Sequence, residues 1–287
     1  MQTINDKHID WVDGAKGIAI LSVFLLHSLP CLNEIGSYLH IGQAVPVFLF
    51  ITTYLISIRF DTLRTYFASS RWKKMIRNIV VPFLIVLLIQ IICLAIADRL
   101  PSWKSILKVG GIGLGSYYIW LYLQVWIMTP FIVLLTRKVP IWASLIIMMS
   151  IAILSEYLFV QIWDIGGVRN IYDLSPIRYL MVLYLGCVWA ELKDTYKWGF
   201  MALACISGLL LLADTHFANN QLLANVCMGG GKIIPSTWVG YHWHTAFYVL
   251  IPISVLEKIH YADMLKDAGK YSWYLFLLQM MCFGFYY

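Results

Sequence analysis

Charge is what this sequence has least of. Asp, Glu, Lys and Arg make up 13% of its 287 residues, about half the share of a soluble domain. So few charges cannot cover a water-facing surface, while apolar side chains fill 61% of the chain. A water-soluble globule is therefore excluded, and lipid must be the solvent for much of the molecule. The period-two alternation of a membrane barrel is also missing. Helix remains, because backbone groups in lipid must find their partners within their own segment.

Metal and disulfide signals are equally thin. The cysteines, Cys31, Cys93, Cys187, Cys205, Cys227 and Cys282, are scattered and form no C-x-x-C pair. That spacing argues against a metal site or a disulfide framework, and they read as small packing residues. There is no H-E-x-x-H, and His242 and His244 are two apart, so on a helix they would face different ways. No metal is expected. Gly229-Gly230-Gly231-Lys232 lacks the full spacing of a phosphate loop and reads as a flexible connection. Linkers, low-complexity tracts and internal repeats are absent, so a single membrane domain over 1–287 is expected. Lipid, not nucleic acid, is the expected bulk partner.

Nine apolar segments are present, at about 17–31, 43–58, 79–97, 117–135, 141–160, 177–192, 198–213, 237–256 and 271–287. Most are near the length that a bilayer core of roughly 30 Å requires. The fold class they predict is an all-α, polytopic transmembrane helix bundle of about nine to ten spans. The first run lacks a clean small-residue cleavage site after it, so it reads as a retained helix. The chain ends inside the last segment, at Phe285-Tyr286-Tyr287, so either the tail is very short or the helix continues in a longer chain. With the N-terminus placed in the cytoplasm, 15 of the 21 basic residues fall in inside segments. Positive charge prefers that side, so the N-terminus is expected inside.

The first apolar run carries the most suggestive polar residues. Asp13, Lys16 and His27 recur along it, and Lys16 and His27 are 11 positions apart. At about 100° per residue the two share a face, about 16 Å apart along the axis. Ionisable groups at membrane depth usually face a bundle interior or a wet cavity. A buried, neutral His27 would suit a general base; alternatively it is an interfacial histidine at the end of a short helix. The loop 59–78 holds Arg59, Arg64, Arg71, Lys73, Lys74 and Arg77 against one acid, Asp61. Two readings stand: inside-loop charge attracted to anionic lipid, or a clamp for the phosphates of a cytosolic cofactor. Gln124, Glu156, Glu191 and Gln279 are further polar residues in or near the apolar runs. Trp120, Trp126, Trp238 and Trp243 read as interface belts and packing.

Several segments carry a family resemblance. Trp11-Val12-Asp13-Gly14-Ala15-Lys16-Gly17-Ile18 running on to His27 is similar to the first-helix signature of the acyltransferase-3 family of integral membrane acyltransferases, a basic residue, ten residues, then histidine. Gln43 to Ile56 resembles that family's second helix, Arg71-Trp72-Lys73 its basic loop, Trp120-Leu121-Tyr122-Leu123 its W-F-L element, and Gly269-Lys270 to Gln279 its late helix. Lys16 stands where many members have Arg, Lys73 where the loop has its second Arg, and Thr52-Thr53 where Ser-Gly is usual. Members commonly have ten core spans.

The resemblance implies acetyl-CoA as acyl donor and a glycan or lipid-linked sugar as acceptor, as in bacterial O-acetyltransferases of the inner (plasma) membrane. It assigns His27 as general base and Lys16 as a second catalytic residue. Arg71, Lys73 and Arg77 would bind the donor, with Asp13, Trp120 and Gln279 in support. A transporter or flippase of an amphiphilic substrate is the principal alternative, and a membrane scaffold subunit a third.

Overall fold

The computed structural model describes residues 9–28, 44–113, 115–162, 174–217 and 246–284; within them, side chains at 26–28, 108–109, 160–162, 211–217 and 283–284 fall outside the description. Each of the nine expected apolar segments carries a helix, and among the described residues there is no strand. The all-α reading of the sequence therefore holds.

Helices α1 (Asp10–Ser28) and α2 (Ala44–Arg59) come first. A one-turn helix, α3 (Leu63–Tyr66), starts at a capping box in which Thr62 and Thr65 satisfy each other's backbone N–H groups. Helix α4 (Ser69–Met75) passes through a π-helical turn, Ile76–Val80, into α5 (Val81–Ile96). Together they form one rod of 28 residues. Pro82 accounts for the wide turn: it has no N–H to give, and its ring presses on the carbonyl four residues back. Next come α6 (Trp103–Val109), α7 (Tyr118–Lys138) and α8 (Ile141–Glu156), the last running on through a π turn, Tyr157–Ile162. A 3-10 turn, Pro176–Tyr179, opens α9 (Leu180–Trp189), followed by α10 (Asp194–Phe217). A second 3-10 turn, Ala246–Val249, opens α11 (Leu250–Leu256), and α12 (Asp263–Lys270) and α13 (Ser272–Gly284) follow.

Among the described residues, three helical stretches, Ser69–Ile96, Tyr118–Lys138 and Ile141–Phe159, are long and apolar enough to cross a membrane, and four shorter apolar helices accompany them. Their outer faces are the faces that lipid would wet. Helix α5 buries only Phe83, Gln90 and Leu94, while Leu84, Ile85, Leu88 and Ile92 stay exposed. An apolar surface of that extent is stable against hydrocarbon and costly against water.

Helix α9 is the centre of the bundle. All ten of its residues are buried, and it packs against α2, α7 and α8. Gly186 sets the α9–α2 distance: a Cβ there would run into Thr53 Oγ1 and the Phe50 carbonyl. Without a hydrophobic drive between helices in lipid, close backbone approach at small residues is a main source of helix association.

The ends of helices that the charge bias assigns to the inner side meet each other. Arg137, at the end of α7, donates from Nε to Glu191 Oε1 at 2.6 Å, from Nη1 to the Phe60 carbonyl at 3.0 Å and from Nη2 to the Ser57 carbonyl at 3.0 Å. It thereby caps the C-terminal end of α2 and ties it to the end of α9. Trp189 Nε1 donates to Glu257 Oε1 at 2.7 Å, and Lys197 lies 5.5 Å over the same indole.

Helix α12 falls between the last two apolar segments of the sequence. It packs tightly across α1. A Cβ at Gly17 would collide with the Leu265 carbonyl oxygen, and one at Gly269 with the Asp13 carbonyl oxygen. Both obstacles are backbone, which cannot rotate away. Gly269→Ala should therefore lower the unfolding temperature of the detergent-solubilised protein, by an overpacking cost of about 1–3 kcal/mol or more. Gly199→Ala in α10, where the nearest heavy atom would be Trp142 Cη2 at 3.4 Å, should be neutral or stabilising by up to about 1 kcal/mol. Thermal unfolding of the two variants side by side checks the contrast.

Candidate functional site

Helix α1 brings together two of the residues singled out in the sequence. Lys16 Nζ lies 3.4 Å from Asp13 Oδ1, a pairing that follows from their spacing of three on a helix. Asp13 is 8% exposed, and the Tyr261 ring covers Gly14 next to it. Lysines of α12 extend the charge pattern. Lys266 Nζ is 3.3 Å from Asp10 Oδ2 and 3.8 Å from Asp263 Oδ1, and Lys270 Nζ is 3.2 Å from Asp267 Oδ1. The hydrogen bond and charge of Asp267, with Asp13 adding, hold the Lys270 ammonium above its ordinary value. Ion pairs near the surface are screened by water and contribute little, so the backbone crossing at Gly17 and Gly269 positions α12 and the ion pairs tune it. His27 belongs to the last turns of the same continuous helix, about 16 Å beyond Lys16 along the axis; its side chain falls outside the described residues.

The basic turn is a second, separate group. Arg71, Lys73, Lys74 and Arg77 are all exposed along α4 and the π turn. The Arg71 guanidinium sits 5.8 Å from the centroid of the Tyr66 ring. The Tyr66 hydroxyl donates to the Trp126 carbonyl at 2.9 Å, and burial pushes its pKa upward, so it stays a donor. Trp72 meets Trp126 edge to face at 4.5 Å. Arg77 Nε donates to Asn78 Oδ1 at 3.2 Å. One side of this turn is thus anchored by aromatics to α7 and the other is cationic. Among the described residues, the ion pairs use Lys16, Arg137, Lys197, Lys266 and Lys270, not the four cations of this turn. They are electrostatically available to an anion.

The remaining sequence candidates divide. Trp120 Nε1 donates to the Gly110 carbonyl, and Gln124 Nε2 donates to the Trp120 carbonyl at 3.2 Å and to the Leu174 carbonyl at 3.3 Å. The Trp120 bond fastens the loop before α7, and the bond from Gln124 to Leu174 holds the segment before the Pro176–Tyr179 turn. Glu191 serves the Arg137 clamp, and Glu156 is buried in α8. Gln279 is fully buried in α13, and neither of its amide atoms has a partner among the described residues. His242, His244, Trp238, Trp243 and the loop at 229–232 lie outside the described residues. Sequence reasoning missed Tyr66, the platform beneath Arg71, and Gln90, a lone amide in the apolar run of α5. The Gln90 signal was present: a polar residue facing inward from a lipid-exposed helix.

An all-α integral membrane protein, with an ion-paired first helix and an unneutralised cationic turn at a helix entrance, is the class that these features define. The chain belongs to the acyltransferase-3 family: a family profile described as an acyltransferase domain matches residues 9–287. Membership implies an acyl donor and an acceptor as its substrates. Comparison with curated proteins and with solved structures found no match.

The role of Tyr66 is separable from its ring. Tyr66→Phe keeps the face under Arg71 and loses one buried hydrogen bond, which should lower stability by about 1 kcal/mol. Tyr66→Leu also removes the ring and should cost more, about 2–4 kcal/mol by analogy with large-to-small core changes. Melting of the two variants, followed by tryptophan fluorescence, should rank them in that order.

Proposed function

We propose that this chain is a membrane-bound O-acyltransferase that moves an acetyl group from acetyl-CoA to a hydroxyl of a cell-surface or lipid-linked glycan. The family match over residues 9–287 carries the reading. It is supported by the single helix that holds Asp13, Lys16 and His27 and by the exposed cations of the basic turn. In this reading residues 1–287 form one catalytic domain, which crosses a bacterial inner (plasma) membrane many times with its N-terminus in the cytoplasm.

Arg71, Lys73 and Arg77 hold the donor's phosphates at the inner face by charge-assisted hydrogen bonds. Lys16, kept in place by Asp13, stands at the entrance to the stripe along α1 and neutralises donor charge. The stripe from Lys16 to His27, about 16 Å, is comparable with the reach of a pantetheine arm. His27 accepts the proton of the acceptor hydroxyl as its oxygen attacks the thioester carbonyl. The carbon–sulfur bond then breaks, the acyl group stays on oxygen, and the CoA thiolate takes the proton from the His27 imidazolium. General-base assistance of this kind contributes typically about 10²–10⁴-fold. Trp120 holds the loop before α7, and Gln279 supports the site from α13.

His27→Ala, expressed normally in a host strain, should lower the ester content of the surface glycan about 100-fold or more. Undiminished acetylation would remove His27 from the mechanism. Arg71→Ala and Lys73→Ala should each weaken acetyl-CoA binding by about tenfold or more, the loss of one charge-assisted hydrogen bond. Equilibrium binding to the purified protein reads this directly, and retained affinity would return the turn to a topological role.

A further inference from the structure

Two turns that the charge bias assigns to the inner side are tied to each other at two points. One joins α7 to α8, the other α9 to α10. The first tie is the bond from Arg137 Nε to Glu191 Oε1. The second is Trp142, in the first turn of α8, which meets Tyr196 edge to face at 6.5 Å and stacks on Phe200 at 5.7 Å. Lys138 and Lys193 fall between these ties along the chain, and both are exposed. Over 136–142 and 190–198 the cations are Arg137, Lys138, Lys193 and Lys197, and the acids are Glu191 and Asp194. Glu191 is taken by Arg137 and Asp194 by Lys197, the latter at 3.0 Å. Glu257 accepts from the Trp189 indole that Lys197 overlies. Among the described residues neither Lys138 nor Lys193 belongs to an ion pair, so two positive charges are left over.

The surface around these two charges narrows what neutralises them. Next to the lysines it is aromatic: Trp142 and Tyr196 are exposed, and Trp198 is 82% exposed. Tryptophan and tyrosine favour the headgroup level of a bilayer, where one end of the ring is wet and the other apolar. Beyond the aromatics the surface is hydrocarbon. Ile146, about 6 Å further along the α8 axis than Trp142, is 64% exposed. Ile147, Ile151 and Leu154 continue that outward face, and Ile206 and Leu209 give α10 a similar one. Cations, rings and apolar surface follow one another in the order of phosphate, glycerol ester and acyl chain in a phospholipid. A soluble anion would meet the lysines and leave the apolar face unused. A zwitterionic lipid brings no net countercharge, whereas an anionic one does.

We propose that the junction of the α7–α8 and α9–α10 turns binds an anionic phospholipid of the inner leaflet, with Lys138 and Lys193 on its phosphate and Trp142 and Ile146 along its ester and acyl chain. The site uses none of the residues assigned to the acyl donor, and it does not depend on the acyl-transfer reading. The same two turns hold the Arg137 clamp on the ends of α2, α7 and α9. A headgroup shared by Lys138 and Lys193 crosses from one turn to the other and reinforces that clamp. A ligand that binds only the folded bundle stabilises it by mass action, so the bound lipid is read in stability as well as in retention.

The test is native mass spectrometry of the purified full chain in detergent with equimolar dioleoyl phosphatidylglycerol and dioleoyl phosphatidylcholine. Wild type should retain phosphatidylglycerol over phosphatidylcholine by about tenfold or more, since each lysine at the surface adds to the attraction of an anionic headgroup. The double variant Lys138→Gln/Lys193→Gln should lose most of that preference, and Lys138→Arg/Lys193→Arg should keep it. Either glutamine substitution alone should lower the preference a few-fold, which keeps the test decisive if the double variant does not fold. Arg64→Gln/Lys74→Gln, which removes two exposed cations elsewhere on the inner side, should leave it unchanged. Thermal unfolding is the second readout: phosphatidylglycerol should raise the wild-type melting temperature by several degrees over phosphatidylcholine, and that of the glutamine variants by less. Glycerol 3-phosphate, the headgroup anion without chains, should not reproduce the shift. Equal retention of the two lipids by wild type overturns the proposal, and so does a preference that survives Lys138→Gln/Lys193→Gln. A preference lost equally in Arg64→Gln/Lys74→Gln overturns it in favour of diffuse inner-face charge. A shift with glycerol 3-phosphate as large as with the lipid overturns it in favour of a soluble phosphate.

Discussion

In hydrocarbon a polar group without a partner has no water to turn to, and that constraint organises this molecule. Helix satisfies the backbone within each segment. Hydroxyl side chains then bond back to their own helices: Ser22 to the Ile18 carbonyl, Thr52 to Phe48, Thr129 to Val125 and Ser155 to Ile151. Charges retreat to helix ends, where Arg137 divides its donors among Glu191 and the carbonyls of Phe60 and Ser57. Together these bonds hold the ends of α2, α7 and α9 against one another. Against that background of satisfied groups, the buried amide of Gln279 stands out.

The same constraint decided what was legible in the sequence. Spans were legible because a bilayer demands length and apolarity, and both are local properties of the chain. The Asp13–Lys16 pair was legible because it lies within one helical turn. Helix α12 was not: its residues, Asp263–Lys270, are amphipathic and short, and only the meeting of Gly17 with Leu265 and of Gly269 with Asp13 shows why it lies on α1. Arg137 and Glu191 are 54 positions apart, a distance over which no periodicity speaks. Gln279 was named from a motif, but its isolation depends on what surrounds it in three dimensions.

The basic turn shows the boundary between the two kinds of knowledge. Its charge was visible at once, and so was its place before Pro82. Two facts separate a clamp from ordinary inside-loop charge: which face of the turn is anchored, and whether carboxylates neutralise the other. Tyr66 and Trp72 fix the first through Trp126. On the second, the described ion pairs lie elsewhere, at Asp10, Asp13, Glu191, Asp194 and the two acids of α12, Asp263 and Asp267. The Arg71 guanidinium lies 5.8 Å from the centroid of the Tyr66 ring on the anchored side of the turn.

Transport and group transfer make different demands on such a bundle. A carrier exposes its site alternately to the two sides, which requires one group of helices to rock or slide against another. Two helix interfaces here are close contacts at glycine. Helix α9 is buried along its whole length and meets α2 at Gly186, while α12 is seated on α1 where neither Gly17 nor Gly269 has room for a methyl group. Displacing either interface would drive side chains into backbone. Group transfer needs no such motion: donor and acceptor approach a fixed helix, and only the acyl group passes between them. Close contacts of this kind suit group transfer, because holding reactants at a fixed separation removes much of the entropic barrier to their reaction. The constraint that hides polar groups from lipid thus also fixes α1 as the rigid line along which Lys16 and His27 are spaced.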